Sequence, residues 1–100
     1  MDVRIDLAAA PVRLRFAGLL TIAAAAAGRT DLLALLPEVP VGPVQLDLAE
    51  VSEADGAGVQ LVMATARSLR ASGHAPRLGP CSPEVRCVTE ALGVALEEAN

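Results

Sequence analysis

Val44-Gln45-Leu46-Asp47-Leu48-Ala49-Glu50-Val51, followed after a short acidic step by Asp55-Gly56-Ala57-Gly58-Val59-Gln60-Leu61-Val62, is the stretch on which the fold turns. Its first half alternates apolar and polar residues over 44–48, the period of a strand with one face buried. The period then changes: Val59, Val62, Ala66 and Leu69 recur at spacings of three and four, which puts them on one helical stripe. Asp55 stands where an N-cap carboxylate accepts from the first-turn N–H groups, and Gly73 where a left-handed residue ends the helix. Arg67 and Arg70 fall on the polar side near the C-terminal end, where the helix dipole favours cations. A strand running into such a helix calls for a following parallel strand, reached by a right-handed crossover. Residues 75–79 supply it, and Pro76, which has no N–H to donate, places it at a sheet edge with 44–48 central.

Upstream, Val3–Leu7 and Val12–Phe16 also alternate, and the link Ala8–Pro11 is short enough for a hairpin. Gly18 breaks that pattern and Thr21 can cap a helix over Ile22–Leu36, a segment rich in Ala and Leu. Gly28-Arg29-Thr30-Asp31 is a point where this helix can break, with Thr30 or Asp31 capping a second piece. Leu32, Leu33, Leu35 and Leu36 are expected to supply core, and Pro37 and Pro40 to end the segment before the turn Val41-Gly42-Pro43. Ser82-Pro83-Glu84-Val85 is the clearest local signal: a capping hydroxyl, proline at the first helical position and an acid in the first turn. Val85, Val88 and Leu92 form that helix's inner stripe, with Gly93 stopping it before Val94 and Leu96 pack back. The expected architecture is α/β: one domain over 1–100, a mixed four-stranded sheet opened by an antiparallel hairpin and continued by parallel strands, and about three helices.

Composition excludes several function classes. In 100 residues, 8 basic against 12 acidic side chains leave a net charge of −4, and the basic residues, all arginine, are scattered. A nucleic-acid footprint is therefore missing, and with Phe16 the single aromatic residue there is no stacking platform either. The longest run rich in apolar residues, Leu19–Ala27, falls well short of the ~20 needed to span a bilayer, so no direct membrane insertion is expected. Met1-Asp2-Val3-Arg4 does not open an export signal, which makes a cytoplasmic location the expectation. Cys81 and Cys87 are too few for a disulfide framework or, with His74, for a structural zinc site.

Chemistry-bearing clusters are weak. Gly56-Ala57-Gly58 at a strand-to-helix turn offers N–H groups to an anion, but Leu61 stands where a dinucleotide fingerprint has its third glycine, and Asp55 competes for the same donors. Small residues serving a tight helix start explain it better. Asp47, Glu50, Glu53 and Asp55 gather near a strand end without a matching base or metal signature, and read as capping and solvated surface. His74 follows Gly73 in a loop with no nucleophile signature around it, and reads as a surface histidine. No catalytic residue, metal site or cofactor is expected, and the chain reads as non-enzymatic.

The order of these features resembles the STAS domain, named for sulphate transporters and anti-sigma-factor antagonists. The resemblance rests on Val44–Val51 as the family's "LDLS…V" strand, Asp55-Gly56-Ala57-Gly58-Val59 as its "D-S/T-S/A-G-L" helix start, Gly18-Leu19-Leu20-Thr21 as its step into the first helix, and the later Gly73, Leu78, Ser82-Pro83 and Leu92-Gly93-Val94. It implies a bacterial partner-binding regulator that acts by protein–protein contact in signal transduction and transcription control, with an anti-sigma-factor kinase-like protein or an ATPase subunit as partner. It places the contact on Asp55, Gly56, Ala57, Gly58 and Val59 and the exposed side of the following helix. In the sporulation-type antagonists the residue before the motif glycine is a phosphorylated serine; here it is Ala57, and Gly56 fills the other hydroxyl position, so this chain is expected to act without phosphorylation there. Alternatives are an accessory subunit of a lipid-transport ABC system, a chemotaxis-kinase-associated protein, or, in another class, a nucleotide or small-molecule sensor using Gly56–Gly58.

Overall fold

The structure, a computed structural model, describes residues 1–92. Strand β1 (Asp2–Asp6) turns into β2 (Val12–Leu20), helix α1 (Ile22–Leu35) and a short 3-10 turn (Leu36–Glu38) lead to β3 (Pro43–Ala54), and α2 (Gly56–Ala71), β4 (Ala75–Cys81) and α3 (Pro83–Leu92) follow. The four strands lie in chain order, β1 antiparallel to β2 and the other neighbours parallel, so the mixed sheet read from the sequence is the one observed. β3 is interior and β4, carrying Pro76, is an edge.

Alternation on the strands decides the core. Leu14, Phe16, Val44, Leu46 and Leu48 share one face of the sheet and meet Leu32, Val59, Val62, Ala66, Leu69 and Val85 from the helices in a single buried cluster. Each fully buried Val, Leu or Phe side chain among them contributes about 1.5–3 kcal/mol of transfer free energy. The opposite face carries Arg13, Arg15, Gln45, Asp47 and Arg77, with Arg15 Nε 3.7 Å from the Asp47 carboxylate.

Three local expectations are corrected. Gly18 does not end its strand: it takes φ +79° beside register shifts at Arg15/Ala17 and Gly18/Leu19, and this irregularity lets β2 continue to Leu20 alongside a β3 that runs to Ala54. Helix α1 does not break at Gly28–Asp31, because Gly28 is buried with Met1 against its bare Cα, while Thr30 donates its hydroxyl to the Ala26 carbonyl (3.2 Å) instead of capping a new piece. Leu33, expected in the core, faces out at 54% exposure, since Leu32 takes the inward position of that turn.

Both later helix ends follow the sequence reading. Gly73 has φ +87° after α2, and Ser82 accepts the Val85 N–H at the start of α3 (3.4 Å). Val85 is buried and Val88 half-buried; the expectations for Gly93, Val94 and Leu96 lie outside the described residues. His74 is no free surface residue. Its Nε2 lies 2.9 Å from the Val39 carbonyl and its Nδ1 3.1 Å from that of Leu69, so the ring ties the segment before β3 to the last turn of α2.

Candidate functional site

Asp55 is placed by the end of β3, where its own N–H donates to the Leu20 carbonyl (3.1 Å), coupling the exits of β2 and β3. Its carboxylate then serves two helices at once. Oδ1 accepts the Gly58 N–H of α2 and Oδ2 accepts the Ile22 N–H of α1, each at 2.9 Å. Thr21, expected to cap α1, has the extended backbone of a cap residue but makes no side-chain cap bond, and Asp55 supplies that acceptor from 33 residues away. Two helix N-termini thus converge on one carboxylate. Hydrogen bonds from Ile22 and then Gly58 outweigh an opposing effect of burial and, with a lesser bond from Ala57, hold the Asp55 carboxyl below its usual value.

Gly58 explains how α2 can start so close to β2. A Cβ at this position would collide with the backbone carbonyl of Leu20, so only glycine lets the first turn sit against that strand end. Gly58 and Val59 are both buried beneath the surface, whereas Ala57 is exposed and Asp55 and Gly56 are half-exposed. The N–H that an anion at Gly56–Gly58 would most need, that of Gly58, is engaged by Asp55. The acidic residues near this point disperse: Asp47 turns to Arg15 and the Ala49 N–H, and Glu50 and Glu53 are exposed. Among the described residues no group of His, Cys, Asp and Glu side chains could hold a metal ion, and no helix is long and apolar enough to cross a membrane.

Because α1 and α2 start at the same carboxylate and lie against each other, their facing sides leave an open groove of about 510 Å³. Half-buried Ala25, Leu61 and Ala64 form its floor, exposed Ala26, Ala57 and Gln60 its sides, and Arg29 and Arg67 its charged rim. Ile22, 72% exposed, stands at the start of α1 on the helical face that continues to Ala25, Ala26 and Arg29. Sequence reasoning singled out the start of α2 but missed the α1 half of this surface. The available signal was an apolar residue directly before a run of alanines, which as sequence cannot be told from core.

The family model described as "Mlab, STAS domain" matches residues 3–95. The chain belongs to the STAS domain family. Among solved structures, the anti-sigma factor antagonist SpoIIAA in its unphosphorylated form is similar at 25% sequence identity and a TM-score of 0.64, over 93% of this chain and 82% of that one. No curated protein sequence matches significantly. This STAS domain therefore has an anti-sigma-factor-antagonist-like fold, and Asp55–Val59 occupies its β3–α2 junction.

Proposed function

We propose that this STAS domain is a non-enzymatic, partner-binding regulator of the anti-sigma-factor-antagonist type, whose contact surface is the Asp55–Val59 junction and the exposed side of α2. One observation carries the reading: Ala57 is exposed on the first turn of α2, in a junction fixed by the Gly58 N–H bond to Asp55 and by the close approach of Gly58 to Leu20. Within this reading Asp55, Gly58 and Val59 shape the surface from below, and Ala57 with Gly56 meets the partner. Ala57 has no hydroxyl, so contact is set by the abundance or state of the partner, an anti-sigma-factor kinase-like protein or an ATPase subunit, and not by phosphate added at this position.

Ala57→Glu tests it. An acid in the first turn of a helix is compatible with the dipole, so the variant is expected to fold, yet it puts a charge into the contact. In a pull-down from native lysate, followed by affinity measurement on the retained protein, the variant is expected to bind at least about tenfold more weakly, ~1.4 kcal/mol. Loss of an anti-sigma-factor kinase supports the reading as stated, and loss of a transporter ATPase supports the accessory-subunit form of it. Equal retention of every partner by the folded variant overturns it.

A further inference from the structure

We propose that the α1–α2 groove receives an amphipathic helix from the partner, apolar where it crosses Ala57 and carrying carboxylates at its other end, against Arg29 and Arg67. The inference rests on the reading that the Ala57 end of α2 is a contact surface, and adds what the partner must present there. Charge points first to the occupant. The chain as a whole is acidic at −4, yet both charged side chains lining the groove are arginines. Among the described residues neither Arg29 nor Arg67 has a hydrogen bond or ion pair, in contrast to Arg4 and Arg15, which face Asp2, Asp6 and Asp47.

Topology polarises the site. Both helices begin at Asp55, and at 1.5 Å rise per residue Arg29 lies about 10 Å and Arg67 about 16 Å along from that common start. The two arginines are therefore set back along their helices from the shared start, at which exposed Ile22 and Ala57 stand. An occupant matched to this pattern is apolar over about two turns and acidic over the next, a length of roughly 10–12 residues.

Backbone chemistry selects a helix over an extended peptide. Every lining residue is helical, so the groove offers no free row of N–H and C=O groups to pair with a strand. A helix brings its own backbone bonds, and the small side chains at positions 25, 26, 57 and 64 allow its axis to approach at helix-packing distance, about 8–10 Å. Carboxylate–guanidinium pairs at the open rim fix register and direction more than they add affinity.

The test uses the full chain, isotopically labelled, and two 18-residue capped helical peptides with the same Ala/Leu face, one bearing Glu and the other Lys at the C-terminal end. At low salt the Glu peptide is expected to bind at least tenfold more tightly than the Lys peptide, with amide shifts centred on α1 and α2, and to weaken as salt is raised. Arg29→Glu with Arg67→Glu is expected to reverse the preference; if that pair lowers the thermal midpoint, Arg29→Gln with Arg67→Gln is expected to abolish it instead. Equal binding of the two peptides, shifts centred on the sheet, or displacement of the Glu peptide by millimolar inorganic phosphate but not by chloride at the same ionic strength would overturn the inference. A native partner lost by Ala57→Glu but retained by the arginine variants would also overturn it while leaving the proposed function standing.

Discussion

The same substitution, Gly→Ala inside a helix, is expected to be nearly neutral at one position of this domain and destabilising at another. In a helix interior Ala is intrinsically better than Gly by about 0.8–1 kcal/mol, less in the first turn, so propensity favours both Gly28→Ala and Gly58→Ala. What the new methyl meets decides the outcome. At Gly28 it meets the end of the Met1 side chain, a group with free torsions that can swing aside. At Gly58 it meets the Leu20 carbonyl carbon and oxygen, and 2.9 Å away the Leu20 Cγ, and the backbone there is held by the Asp55 N–H and by the pairing of Leu20 with Ala54. Overpacking against groups that cannot move costs about 1–3 kcal/mol, more where backbone is displaced. Gly28→Ala is thus expected within about 1 kcal/mol of wild type and Gly58→Ala destabilised by about 1–3 kcal/mol, a gap of several degrees in Tm for a domain this size. Urea unfolding of the three proteins, with equal m-values as the check that the unfolded states match, measures it. A Gly58→Ala protein as stable as wild type would refute the close approach of α2 to β2, and with it the placement of Ala57.

Acid should weaken the domain through Asp55. Its carboxyl is held below the usual value of about 4 in the folded state, so its contribution is fully present above that pH and is lost as pH falls through the lowered folded value. Tm profiles between pH 6 and pH 2.5 are expected to fall more steeply below pH 4 for wild type than for Asp55→Asn, which keeps one acceptor oxygen but cannot ionise; parallel profiles would exclude the double cap as the source. At the other end of the molecule, His74→Ala should cost about 1 kcal/mol, because it removes the ring that bridges the Val39 and Leu69 carbonyls, of which only the Leu69 carbonyl keeps the His74 backbone N–H (2.9 Å). Urea unfolding reads that loss, and amide exchange in the Val39–Val41 segment should speed up with it.

The local patterns in the sequence carried through wherever a single element decides its own form. The stripe Val59, Val62, Ala66 and Leu69, the stop at Gly73, the cap at Ser82 and the edge position of the Pro76 strand all depend on spacing, φ and donor count within a few residues. Two parallel crossovers and one hairpin then leave few sheet orders open, which is why the topology was legible. Family membership was legible in the same run of motifs around Asp55-Gly56-Ala57-Gly58.

What the sequence could not contain is any choice made between distant elements. Whether α1 breaks at Gly28 depends on Met1 filling the space beside it; whether Leu32 or Leu33 points inward depends on how α1 rolls against the sheet. Thr21 has the chemistry of a cap, yet the Ile22 N–H goes to a carboxylate 33 residues on. That long-range bond joins the two helix starts, and Arg29 and Arg67, far apart in sequence, line one groove between the helices. Propensity and periodicity act over one or two helical turns, whereas such contacts are selected by packing of the whole chain. Sequence alone therefore determined the elements and their order, and the tertiary structure decided which exposed residues share a surface.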